Sequence, residues 1–199
     1  SVRRIPYRGW SPDGDGGPSV PLACIRIPTG GGKTLLAAHA IDIAAREYVG
    51  TGAPVALWLV PSNAIRTQTL DALQKAGHPY REALLDHFAA DRLTVIDIAD
   101  CTQLRAQDFG GRAIVVVGTI QTLRVDNTAG REVYSYNEAF EPHFAAVPDM
   151  PFMERIEAKD LEVHPYLKAS DVGRIKRSFA NLLAWHRPIV IVDEAHNAQ

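Results

Sequence analysis

Cysteine is scarce: Cys24 and Cys101 are the only two and lie in different segments, which excludes a disulfide framework and suits a reducing compartment. No C-x-x-C or H-E-x-x-H spacing occurs and no cysteine lies near His196, so a zinc site is excluded and both thiols read as core packing. Long apolar runs are missing as well. None approaches the roughly 18 residues that would span a bilayer, and "SVRRIPYRGW" is not a cleavable leader, so the expected location is the cytoplasm, without a membrane partner. An excess of basic charge is absent too: 21 Lys and Arg against 23 Asp and Glu leave a net charge of -2, so any nucleic-acid binding must be local. The small basic groups at Arg3, Arg4 and Arg8 and at Arg174, Lys176 and Arg177 read as solvated faces. There is no internal repeat and no low-complexity tract. With 199 residues, 46% of them hydrophobic, the chain can bury one sizeable core.

What is present is a succession of apolar runs of strand length. The opening, through "SPDGDGGPSVP", reads as a loop that enters the domain over residues 1–21. "LACIRI" (22–27) reads as a first strand, followed by a helical stripe over 33–48 carrying Leu35, Leu36, Ala38, Ile41, Ala44, Ala45 and Tyr48. "PVALWLVP" (54–61) and "SNAIRTQTLDALQKAG" (62–77) repeat the order, the helix capped by Ser62 and ended by Gly77. "RLTVIDIAD" (92–100), "RAIVVVGT" (112–119) and "RPIVIVDEAHN" (187–197) add three more strands. The expected fold is α/β, a mainly parallel sheet with helices on both faces. One stretch, about 125–187, is too long for an ordinary connection and must carry structure of its own. Within it "YNEAFEPHF" and "DVGRIKRSFANLLAWH" look helical, the second with Val172, Ile175, Phe179, Leu182 and Leu183 on one face.

The chemistry concentrates at two strand ends. In "PTGGGKT" the residues Pro28, Thr29, Gly30, Gly31, Gly32, Lys33 and Thr34 lie between a strand and a helix. Three glycines allow successive backbone N–H groups to turn toward an anion, and the helix start adds its positive dipole end. Lys33 can then reach the β- and γ-phosphates of a nucleotide, and the Thr34 hydroxyl can bind Mg²⁺, the Walker A division of labour. The strict pattern asks for glycine where this chain has Ile27. At the second strand end, "IVIVDEAHN" places Asp193 to hold the Mg²⁺ shell and Glu194 to orient and deprotonate the water that attacks the γ-phosphate.

These residues resemble superfamily-2 DEAD/DEAH-box helicases and translocases, "PTGGGKT" looking like motif I and "DEAH" (193–196) like motif II. "LVPSNAIRTQTL" is similar to motif Ia and "VVVGTIQTL" resembles the Ib region. The wording most resembles the restriction subunit of type III restriction-modification enzymes. The resemblance implies a P-loop NTPase lobe of RecA-like fold over 22–199 with an insertion at 125–187, using ATP and Mg²⁺. It implies that His196 couples the nucleotide to the motor, and that Ser62, Arg66, Thr119 and Gln121 touch a nucleic-acid backbone. Ser62 read alone is equally a helix cap, and Thr119 a strand-end residue. As partners it implies DNA, a modification methyltransferase subunit, and a second RecA-like lobe that these 199 residues do not contain. Losing that lobe's arginine fingers costs about 10³ to 10⁵ in rate, so the chain alone is expected to bind nucleotide weakly and scarcely hydrolyse it. No glutamine precedes Gln68, so the adenine-reading glutamine of several helicase groups is either missing or lies before Ser1. An RNA-remodelling helicase lobe and a nucleotide-dependent switch without translocation are the alternatives.

Overall fold

Short strands and helices follow one another along the chain in a computed structural model, which describes residues 8–10, 20–28, 30–123 and 132–193. In order they are β1 (Arg8–Trp10), β2 (Val20–Leu22), α1 (Lys33–Ala44), β3 (Val55–Val60), α2 (Asn63–Gln74), α3 (Pro79–Leu85), β4 (Leu93–Asp97), β5 (Ala113–Thr119), α4 (Ala158–Val163), α5 (Phe179–His186) and β6 (Ile189–Val192). The chain divides into two compact units, Ser1–Lys33 and Thr34–Gln199.

In the first unit β1 pairs antiparallel with β2, Gly9 facing Pro21. The strand expected over 22–27 does not form. The ladder ends at Leu22, and residues 23–28 have no regular structure. An apolar run becomes a strand only where an edge accepts its N–H and C=O groups, and among the described residues of this unit only Arg8–Trp10 offers one.

In the second unit β4, β5, β3 and β6 lie side by side in that order, all parallel. β3 and β5 are the inner strands, and every one of their residues is buried. Alternation sends Ala56, Trp58 and Val60 of β3 into a layer with Ala38 and Ile41 of α1, Leu73 of α2 and Leu84 of α3. Val55, Leu57 and Leu59 point the other way, toward Ile98, Phe140, and Phe179 and Leu182 of α5. Helices therefore cover both faces, as the continuous apolar runs predict.

Two expected helices are shorter than their sequence patterns. α1 stops at Ala44 and continues as a π turn over Ala45–Val49, closed by Gly50 at φ 74°. The extra residue per turn rotates the apolar stripe, so Tyr48 is exposed while Ala45 is buried. On the buried side of α1, Asp42 accepts from Arg46 Nε at 2.9 Å and lies 3.1 Å from His87 Nδ1, a polar tie to the chain after α3.

The helix expected over 171–186 begins only at Phe179, where the Ser178 hydroxyl accepts the Asn181 N–H at 3.2 Å. Residues before it run beside 154–156 instead, through Ile156 N to Arg174 O at 2.9 Å and Lys176 N to Glu154 O at 2.9 Å. Val172 is thereby exposed. Lys176, expected on a solvated face, is buried and lies 3.1 Å from Asp160. A single side chain ties this layer together: Asn181 accepts from Glu154 N and donates to the carbonyls of Glu154 and Lys176. "YNEAFEPHF" forms a 3₁₀ turn over Glu138–Phe144, capped by Asn137 and containing Pro142, which has no N–H to extend a regular helix.

Candidate functional site

Each glycine of "PTGGGKT" answers a separate demand of the backbone. Gly30 and Gly32 have φ of 78° and 82°, a region costly for any residue with a Cβ. Gly31, between them, donates its N–H to Pro28 O at 3.0 Å, and a Cβ added there would stand 2.9 Å from that oxygen and collide with the Ile27 side chain. Positive φ at alternate positions is a backbone pattern that can aim neighbouring N–H groups at an anion. Lys33 follows at once and opens α1, a twelve-residue helix. Thr29 lies outside the described residues.

In the second unit, Thr34 sits half-buried in the first turn of α1. Asp193 follows β6 directly, its N–H bonded to Leu59 O at 2.9 Å, at the carboxyl end of the parallel strands. This is the edge where open parallel sheets present their ligand-binding residues. Glu194 and His196 lie outside the described residues.

Three of the four residues expected to meet nucleic acid line one cleft of about 870 Å³: Arg66 from α2, Thr119 at the end of β5, and Gln121 just after it. The fourth, Ser62, caps α2, its hydroxyl accepting the Ile65 N–H at 3.4 Å. Arg66, expected to touch a nucleic-acid backbone, already has a partner within the protein. Its Nη1 lies 3.1 Å from Asp97 Oδ1, an oxygen that also accepts the Ala99 N–H at 2.9 Å, so the guanidinium is held and its charge largely balanced. Thr119 and Thr122 share a hydroxyl hydrogen bond of 2.8 Å.

The same cleft is also lined by residues to which the sequence assigns no role. Tyr136, His164 and Tyr166 line it together with Glu132 and Glu138. No motif marks them, and Tyr136 lies far in the chain from His164 and Tyr166. Cys101 also borders the cleft, but burial pushes its thiol up to about 12, so it stays protonated at neutral pH.

Burial lowers the pKa of two histidines of the insertion, the buried His143 and the half-buried His186. His143 Nε2 donates to Leu104 O at 3.1 Å, while its buried Nδ1 has no partner among the described residues. Burial is the first cause that lowers its pKa, with the Leu104 carbonyl and Asp108 acting in the opposite sense. His186, stacked on Phe109, is lowered by burial and then by the charge of His143. Because the folded values lie below the ordinary value of about 6.5, the unfolded chain takes up these protons first as the pH falls. The two histidines' contribution is fully present above about pH 6.5 and declines below it. The expected result is a lower urea midpoint at pH 5.5 than at pH 7.5, with a smaller drop in His143→Gln. A wild-type midpoint constant over that range would contradict the assignment. Asp149 and Asp171 do not confuse the reading, because hydrogen bonds from Arg155 and from the Lys168 backbone hold them below the usual carboxylate range.

Among the described residues no helix is long and apolar enough to cross a membrane. Comparison with curated proteins and with solved structures finds no match. The family of the type III restriction enzyme res subunit matches residues 21–199. That match spans the glycine turn, the parallel sheet and the cleft, and the chain belongs to this family, as a helicase-type ATP-binding lobe of RecA-like α/β fold.

Proposed function

We propose that the chain is the ATP-binding motor lobe of an ATP-dependent DNA translocase in a type III restriction enzyme. The observation that carries the reading is the shared cleft: Arg66 and Thr119, from motifs some fifty residues apart, meet Gln121 at the carboxyl end of the sheet. Hydroxyl, amide and guanidinium groups satisfy phosphate oxygens without reading sequence, which is what a motor moving along DNA needs. Ser62, at the head of α2, adds a fourth contact.

The lobe spans 22–199 after an entry segment at 1–21, with an insertion at about 125–187. Pro28 to Thr34, including Thr29, cradle the nucleotide phosphates. The glycine geometry fits this role, since Gly31 leaves no room for a Cβ and Gly30 and Gly32 adopt φ values that favour glycine. Thr34 and Asp193 hold Mg²⁺, which neutralises phosphate charge when bound. Glu194 activates water and His196 links the nucleotide to the rest of the motor. The intact enzyme works in the cytoplasm with a second RecA-like lobe and a modification methyltransferase subunit.

The test is steady-state ATPase of the intact polypeptide with no nucleic acid, duplex DNA, single-stranded DNA or RNA. Stimulation by DNA, lost in Lys33→Ala, is the expected result. Stimulation by RNA alone would transfer the lobe to the RNA remodellers, and none at all would favour a nucleotide-dependent switch.

A further inference from the structure

Three aromatic rings from the insertion converge on the cleft although 28 residues separate the first from the second. Ring centroids lie 5.9 Å apart for Tyr136 and Tyr166, 5.7 Å for His164 and Tyr166, and 5.9 Å for Tyr136 and His164. Tyr136 is fixed: it is 7% exposed, and its hydroxyl accepts from Arg177, itself paired with Glu141. Tyr166 is 48% exposed, oriented by a 3.1 Å hydrogen bond between its hydroxyl and His164 Nδ1. The rings meet at tilts of 42° to 54°, so none is stacked flat on another.

The charges of the cleft narrow what it can hold. Arg66 is balanced by Asp97, and Glu132 and Glu138 line the same space, so electrostatic attraction alone does not draw a polyanion here. What the cleft offers is neutral donors, Thr119 and Gln121, together with three aromatic rings. Bases within a duplex are stacked on each other and present edges, whereas unpaired bases present faces that tyrosine can cover.

We propose that Tyr166, backed by Tyr136 and His164, is a stacking platform for unpaired nucleobases of a strand whose backbone lies along Thr119 and Gln121. This rests on the reading of the cleft as a nucleic-acid site and adds to it that the bound strand is single. The insertion then gives the lobe a grip on bases that backbone contacts alone do not supply. Such a grip is tolerant of sequence, because every base has a π-face.

The test is fluorescence anisotropy of the chain with three labelled probes: an oligothymidylate about twelve nucleotides long, an abasic strand of equal length, and a duplex. The wild type is expected to bind the oligothymidylate more tightly than the abasic strand. Tyr166→Ala should weaken oligothymidylate binding by roughly 5-fold or more, leave the abasic strand unaffected, and be rescued in Tyr166→Phe, which keeps the ring. Gln121→Ala should weaken both strands alike. If Tyr166→Ala binds oligothymidylate as the wild type does, or the two single strands bind equally, stacking is overturned while the Gln121 effect keeps the backbone reading. A cleft that prefers the duplex irrespective of Tyr166 overturns stacking as well. Absence of binding to every probe overturns both readings. Tyr166 is exposed, so its removal opens no core, and an unchanged melting curve together with His164→Ala guards against misfolding.

Discussion

Lys33→Ala is expected to weaken Mg-ATP binding by one to two orders of magnitude while leaving the fold intact. A hydrogen bond from a charged donor to phosphate contributes about 1.5–3 kcal/mol, which corresponds to a factor of roughly 10 to 100 in affinity. Gly30, Gly31 and Gly32 still present their backbone in this variant, so residual binding measures what the turn achieves without the ammonium group. Alanine is a better helix former than lysine, so α1 keeps its first turn. Titration calorimetry of the intact polypeptide measures the loss. A change of less than about threefold would separate Lys33 from the phosphates and remove the main support for a nucleotide site.

Glu194→Gln should do the opposite, keeping affinity and removing turnover. Glutamine has nearly the shape of glutamate but cannot take a proton from water, and loss of a general base costs about 10² to 10⁴ in rate. The expectation comes from position in the chain: Glu194 directly follows Asp193, whose backbone is bonded to Leu59 at the carboxyl edge of the sheet. Single-turnover hydrolysis in the intact polypeptide, beside equilibrium binding of Mg-ATP, distinguishes the two quantities. Turnover equal to wild type would assign water activation to another residue, and affinity lost together with turnover would make Glu194 a ligand for the nucleotide or its metal.

The sheet was legible because its inner strands are buried on both faces. Val55–Val60 and Ala113–Thr119 have to be continuous apolar runs, and that pattern needs no knowledge of the partner strands. Residues 22–27 show the reverse. Their apolarity resembles a strand, but whether it pairs depends on an available edge, which a local pattern does not contain. Ser62 was legible as a cap because its acceptor role is completed three residues away. The Arg66–Asp97 pair joins residues 31 apart and so changes the character of a motif residue invisibly to its own neighbourhood. The layer formed by 132–187 was opaque for a related reason: its order depends on Asn181, Lys176 and backbone carbonyls rather than on a repeating stripe. Its aromatic trio becomes a feature only when folding brings it to Thr119 and Gln121.

The order β4, β5, β3, β6 also dictates a timetable for folding. One side of β3 is joined by β5 soon after it is made, but the other pairs with β6, where Ala56 meets Ile189 more than a hundred residues later. A ribosome adding about 5–20 residues per second leaves that edge of Val55–Val60 uncovered for on the order of 10 s. A row of unmet N–H and C=O groups on a wholly apolar strand is a template for pairing with another nascent chain. The insertion prolongs the interval in proportion to its length, so the segment that supplies the aromatic wall also lengthens the time for which that edge stays open.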